Sequence, residues 1–264
     1  MKILMIGCGA MGSTIARHLA KSFFLILSDR NEKKNVSLAK EIGGTAQEDI
    51  AIGASDAGIV FLAIKPKDLN SVAEKLAGVD LQGKLVVSVL AGTPVALLRR
   101  HFPLCSVLRI MPNLALSCGR GVIGLVDDEA LTQELKLRSE SLFKGMGLTV
   151  WLPEDKMNAF TALTSSGIGF VFFFIEAMME GGIRLGFSEK EAREFTLKTV
   201  EGAVGLLRSS GKHPSELKGN VASAGGMTMA GLKELEDAQV RLKVINALLA
   251  ACSRGKQMET YAKN

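Results

Sequence analysis

The feature that most constrains this chain is Gly7-Cys8-Gly9-Ala10-Met11-Gly12. It stands directly behind a short apolar run, residues 2–6, and directly ahead of a helical pattern over residues 13–21. Strand, tight turn and helix are the context that G-x-G-x-x-G requires. The first glycine permits the turn, the second lets backbone approach a pyrophosphate, and the third lets the helix pack closely on the strand. Phosphate oxygens then meet free N–H groups at the positive end of a helix dipole. The pattern predicts a Rossmann-type domain that binds NADPH or NADH, with Gly7, Gly9, Ala10, Met11 and Gly12 against the cofactor. Residues 23–28 read as the second strand. Asp29 closes it where an acid would bind the adenosine ribose hydroxyls and favour NAD. Arg30 follows, where an arginine can grip a 2′-phosphate and favour NADP, and Lys33 and Lys34 add positive charge nearby. The two signals conflict and leave both cofactors open.

The alternation of strand and helix continues. Strands are expected at 59–64, 85–90, 106–111, 121–126 and 148–152, and helices at 35–42, 69–76, 94–101 and 128–145. That order predicts an α/β fold with a mostly parallel, doubly wound sheet. Pro66 cannot continue a central strand, so the chain turns at the sheet's carboxyl edge, where ligands bind in such folds. Ala63, Ile64, Lys65 and Pro66 are therefore expected beside the cofactor. Ala91 and Gly92 are small enough for a nicotinamide ring to lie on the backbone, and Asn113 is expected as a polar contact at the same edge. After Pro153 no strand pattern follows. The expected division is a dinucleotide-binding domain over 1–153 and an all-helical domain over 154–264.

The helical half opens with a long apolar helix, expected over 155–179 and interrupted near residues 165–167. Residues 157–175 carry no charge and include Phe170-Val-Phe-Phe-Phe-Ile175. That length is marginal for a membrane span, and Thr161, Thr164, Ser165 and Ser166 sit in its middle. It reads instead as a helix buried on nearly all sides. A domain of about a hundred residues has too little else to cover it, so a partner subunit, and hence an oligomer, is expected. Ser188 with Glu191 forms a capping box for the next helix. The polar turn Ser223-Ala224-Gly225-Gly226-Met227-Thr228 then leads into an amphipathic helix over 229–236. Such a turn offers backbone N–H groups at a positive helix end and suits a carboxylate. Residues 232–253 close the chain as helix.

Composition narrows the function classes. The net charge is +5 with one Trp and one Tyr, and no Lys/Arg run exceeds two residues. A nucleic-acid surface would need a basic stripe with stacking aromatics, so no nucleic-acid partner is expected. The four cysteines are scattered and only three histidines are present. No metal site and no disulfide framework are expected, and a cytoplasmic setting is.

The same pieces carry a family likeness over essentially the full length. Gly7–Gly12, Phe61-Leu-Ala-Ile-Lys-Pro66, Ser88-Val-Leu-Ala-Gly92, Arg109-Ile-Met-Pro-Asn113, Thr161-Ala-Leu-Thr-Ser-Ser-Gly167, His213-Pro-Ser-Glu-Leu-Lys218 and the 223–236 stretch resemble the pyrroline-5-carboxylate reductase family. The resemblance implies hydride transfer from NAD(P)H to the C=N carbon of 1-pyrroline-5-carboxylate, giving L-proline in the last step of proline biosynthesis. It implies a substrate site of Ser223, Gly225, Gly226, Met227 and Thr228, in which Ser223 and the backbone of Gly226, Met227 and Thr228 hold the substrate carboxylate. The Thr228 hydroxyl would serve the ring nitrogen as the catalytic group. It also implies helical domains interlocked as a homodimer, which in some relatives assembles into a larger ring, while the polar middle of the apolar helix leads to the expectation of no membrane partner. The chain departs from the family at Ala224 and Ile168, where proline is usual, at Met227, where threonine is usual, at Leu114-Ala115, and around Gln47-Glu48. Other readings are a reductase of another small imine or hydroxy acid, or a nucleotide-binding sensor without turnover. A β-hydroxyacid dehydrogenase would place a catalytic Lys on the first long helix, and no Lys occurs between Lys156 and Lys190.

Overall fold

The structure is a computed structural model and describes residues 1–263. Strand β1 (Lys2–Ile6) alternates Ile3 and Met5 on one face with Leu4 and Ile6 on the other, and all four are buried. A strand apolar on both sides belongs in the middle of a sheet covered on both faces. Around it the chain lays down α1 (Ala10–Leu19), β2 (Phe24–Ser28), α2 (Glu32–Ile42), β3 (Thr45–Ala46), α3 (Ile50–Asp56), β4 (Ile59–Leu62), α4 (Leu69–Leu76) and β5 (Leu85–Ser88). Then follow α5 (Val95–His101), β6 (Ser106–Pro112), β7 (Gly121–Val126), α6 (Gln133–Leu142) and β8 (Gly147–Leu152).

The eight strands form one sheet in the order β3-β2-β1-β4-β5-β6-β7-β8. All neighbours are parallel except β6 and β7. Ile3, Met5, Leu25, Leu27, Phe61 and Val87 pack under α1, α2 and α6 on one face. Leu4, Ile6, Ile26, Val60 and Val86 pack under α3, α4 and α5 on the other. This is the doubly wound sheet that the alternation of the sequence predicts. The strand order reverses between β1 and β4, which places a crevice beyond the carboxyl ends of those strands.

Several elements depart from expectation. β3 and α3 are absent from the sequence reading, because β3 is two residues long and α3 carries Gly53 and β-branched residues. Asp49 caps α3 by accepting from Ala51 N–H at 2.8 Å. Gly53 lets α3 sit directly on the sheet, since a Cβ there would lie 2.9 Å from Leu4 Cδ1. Helix α6 is shorter than expected. Residues 128–131 form a turn on the Asp128 carboxylate, and Thr132 starts the helix by accepting from Leu135 N–H.

The chain divides into two compact units, 1–165 with 251–264, and 166–250. In the first, α7 (Met157–Thr161) runs into a π-helical turn over Ala162–Ser166. The interruption expected near 165–167 is thus a widened turn and not a break. The end of the last helix belongs to this unit as well. Arg109 on β6 is 1% exposed and pairs with Glu154 at 2.9 Å and with Glu259 at 3.2 Å.

The second unit is helical: α8 (Gly167–Arg184), α9 (Glu189–Ser210), α10 (Pro214–Val221), α11 (Met227–Asp237) and the first part of α12 (Val240–Lys263). The Ser188–Glu191 capping box is present at the head of α9. α8 and α9 meet closely at Gly182, where a Cβ would lie 3.0 Å from Ala192 Cβ. The expectation that the apolar helix is buried on nearly all sides is corrected. No residue of α8 is buried in the single chain, and Phe173 is 66% exposed. Apolar content tells that a surface needs covering, and the neighbouring helices of this chain do not cover it. By length and composition alone, residues Glu154–Arg184 are long and apolar enough to cross a membrane. The expected single helix over 232–253 is also corrected. It is interrupted between α11 and α12, where Gln239 has φ +55°.

Candidate functional site

The crevice at the β1/β4 switch point holds a cavity of about 780 Å³. Its floor is the glycine turn. Gly7 has φ +96°, and a Cβ there would run into the Ala63 carbonyl. Its N–H donates to Ser28 O at 2.7 Å, and Ala63 N–H donates to Ile6 O at 2.8 Å. These bonds tie the ends of β1, β2 and β4 together. A Cβ on Gly12 would strike the Gly7 carbonyl, so Gly12 lets α1 pack against the turn. Gly9 is the N-cap of α1 and supplies no side chain to its free N–H groups. A Cβ on Gly9 would meet nothing within 4 Å, so the space above it is left to a ligand. An open, uncapped helix start under a cavity of this size fits the pyrophosphate of a dinucleotide.

Asp29 stands at the end of β2 with both oxygens anchored. Oδ2 accepts Cys8 N–H at 2.6 Å and Oδ1 accepts Asn31 N–H at 2.9 Å. Each oxygen retains a lone pair for a ribose hydroxyl. Burial, followed by the Asp29 charge, pushes the Cys8 thiol up to about 11. Cys8 therefore sits in the turn as a neutral thiol, 3.7 Å from Asn35 Oδ1, while Asn35 Nδ2 donates to Leu27 O at 3.0 Å. Arg30 reaches across to Asp68 on the short turn after β4, at 3.1 Å.

Of the residues expected at the cofactor, Gly7, Gly9, Ala10, Met11, Asp29, Arg30, Ala63, Ile64, Lys65, Pro66 and Ala91 line this one cavity. Gly12 underlies it as a packing residue. Asn113 does not line the cavity, although its neighbours Pro112 and Leu114 do. Its side chain is buried and its amide is spent inside the fold, Nδ2 donating to Thr164 O at 3.0 Å and Oδ1 accepting Val122 N–H at 3.1 Å. Glu48, Asp68, Ser71, Lys75 and Met258 line the cavity without having been expected there. Only their topology brings them in, and no local motif marks them.

In the second unit, the 223–228 turn has its own geometry. Gly225 takes φ +71°, which favours glycine. Gly226 N–H donates to Ser223 O at 3.0 Å, and Gly226 is the N-cap of α11 with no side-chain cap. A Cβ on Gly226 would come within 2.6 Å of Ser223 Oγ. The helix begins at Met227, two residues earlier than the sequence pattern suggests. Met227 and Thr228 thus occupy its first turn, where N–H groups have no helical acceptor. The turn is exposed, Met227 at 94%. The structure brings Ser223, Gly225, Gly226, Met227 and Thr228 together as one exposed, uncapped helix start.

Comparison with known proteins adds relatives. The family model described as pyrroline-5-carboxylate reductase dimerisation matches residues 154–258. The one described as NADP oxidoreductase coenzyme F420-dependent matches residues 2–92. The pyrroline-5-carboxylate reductase of Methanosarcina acetivorans is 33% identical, over 97% of this chain and 97% of its own. Among solved structures, 1-pyrroline-5-carboxylate reductase from Streptococcus pyogenes superposes with a TM-score of 0.89 at 27% identity, over 97% of this chain and 98% of that one. Plasmodium falciparum pyrroline carboxylate reductase, solved with NADP bound, has a TM-score of 0.86 at 25% identity, over 98% of each chain.

Proposed function

The chain belongs to the pyrroline-5-carboxylate reductase family, and on that premise we propose that it reduces the C=N bond of 1-pyrroline-5-carboxylate to give L-proline, the last step of proline biosynthesis. The observation that carries this reading is the cavity floored by an uncapped glycine turn at the β1/β4 crevice, in a chain similar to these reductases from end to end. NAD(P)H, when bound, supplies the hydride.

The chain's own residues hold and orient. The free N–H groups of Ala10 and Met11 receive the pyrophosphate, and Asp29 or Arg30 the adenosine ribose. Ala63, Ile64, Lys65, Pro66 and Ala91 flank the remainder. The Ser223–Thr228 turn holds the substrate carboxylate with the Ser223 hydroxyl and the backbone of Gly226, Met227 and Thr228. Thr228 Oγ1 orients the ring nitrogen. A protonated cyclic imine is already electrophilic and its product amine keeps the proton, so alignment matters more than acid–base power. A site without His or a catalytic Lys suits that chemistry.

The domain roles in this reading are cofactor binding over 1–153, and dimerisation with substrate binding over 154–264. The extent of the matched dimerisation family, 154–258, supports that division. The exposed apolar surface of α8 is taken up by a second copy of the chain in an interlocked homodimer, from which a larger ring can be built. Four unpaired cysteines support a reducing, cytoplasmic setting.

The test is steady-state oxidation of NADH and of NADPH with pyrroline-5-carboxylate, followed by detection of proline. Turnover with proline as product is the expected outcome. Tight cofactor binding without turnover would favour a sensor instead.

A further inference from the structure

NADH and NADPH differ by one phosphate on the adenosine ribose, so selection between them is decided by charge at the β2–β3 edge of the cavity. From that edge the cavity is lined by Ser28, Asp29, Arg30, Glu48 and Ile50. Arg30 is the one cation among them. Lys65 and Lys75 also line the cavity, after β4 and on α4.

The Arg30 guanidinium is engaged. Nη1 donates to Asp68 Oδ1 at 3.3 Å and Nη2 to Asp68 Oδ2 at 3.1 Å, a fork-to-fork arrangement. Asp68 is the better buried partner, 22% exposed against 82% for Arg30, so the carboxylate is the fixed end of the pair. Asp29 is held by two backbone N–H groups with lone pairs left over for ribose hydroxyls. Glu48 adds a second carboxylate, with no ion-pair partner among the described residues. A 2′-phosphate would bring a charge of about −2 to an edge with two unneutralised acids. The one cation that lines this edge is an arginine already matched to Asp68, and Lys33 and Lys34 follow on α2 without lining the cavity. A bare ribose brings hydroxyl donors to a carboxylate set to accept them.

We propose that the Arg30–Asp68 pair, together with Glu48, makes this chain select NADH over NADPH. The proposal rests on reading the cavity as the seat of a nicotinamide dinucleotide.

The test is calorimetric binding to the full chain with no imine present, using NADH and NADPH, and using 5′-AMP and 2′,5′-ADP as probes of the adenosine end alone. The wild type is expected to bind NADH about tenfold or more tightly than NADPH, and to prefer 5′-AMP to 2′,5′-ADP. Asp68→Asn removes the competing charge and should move the ratio about tenfold toward NADPH. Adding Arg30→Ala to Asp68→Asn should reverse that shift. Glu48→Gln should move the ratio in the same direction as Asp68→Asn. Equal or tighter binding of NADPH by the wild type, or a ratio unmoved in both Asp68→Asn and Glu48→Gln, overturns the selectivity alone and leaves the dinucleotide site standing. Absence of any dinucleotide binding by a folded wild-type chain overturns the site, and the selectivity with it. If Asp68→Asn does not fold, the wild-type fragment comparison and Glu48→Gln still decide.

Discussion

At the residue scale, Thr228 and Cys8 are side chains of opposite character. Thr228 is exposed on an uncapped helix turn and has no packing role in the single chain. Thr228→Ala is therefore expected to lower kcat/KM for the imine by roughly tenfold or more while the Kd for cofactor stays nearly unchanged. Steady-state kinetics beside calorimetry checks both. Cys8 is the reverse, a buried thiol whose role is packing. Its pKa of about 11 in the fold lies above the ordinary 9.0, so the folded chain keeps the proton longer than the unfolded one. The stability it contributes is present in full below pH 9 and is lost as pH rises toward 11. The unfolding midpoint of the wild type should fall more steeply between those values than that of Cys8→Ala. Asn113 marks where reading from sequence ends. Its place at the strand edge is legible, but the direction of its amide depends on Thr164 and Val122, which local sequence does not bring near. Arg30 is similar: its position is legible, and its engagement by Asp68 is not.

At the element scale, strands with two apolar faces are legible nearly to the residue. β1 and β7 match their expected bounds, and so does α4. Short elements held by tertiary contact are not. β3 exists because Thr45 and Ala46 pair with Ile26 and Leu27, and two residues carry no period. The break between α11 and α12 is likewise hidden, because Gln239 takes a left-handed conformation with no glycine to announce it. That residue is strained, since a Cβ is disfavoured at positive φ. Gln239→Gly should raise stability by about 0.5–1 kcal/mol, read as an increase in the thermal midpoint.

At the scale of the whole molecule, the α/β half contains nearly all of the buried core, and α8 leaves Phe172 and Phe173 in the open. An uncovered patch of that kind marks an interface. Sedimentation should give a mass at least twice the 28.1 kDa of one chain. Phe172→Glu with Phe173→Glu should shift it toward the monomer and lower solubility less than it lowers self-association. Recovery of the wild type only with detergent would point to a membrane instead. The first compact unit is also discontinuous along the chain, because residues 251–264 return to it after the whole of 166–250. Met258 supplies part of the cavity wall, and Glu259 closes onto Arg109 across 150 positions of sequence. Synthesis runs from the N-terminus, so a nascent chain carries the glycine turn early and the last piece of wall very late. A nascent chain can therefore present a formed sheet while the wall of its cavity is still unfinished, and that wall waits on the residues around Met258.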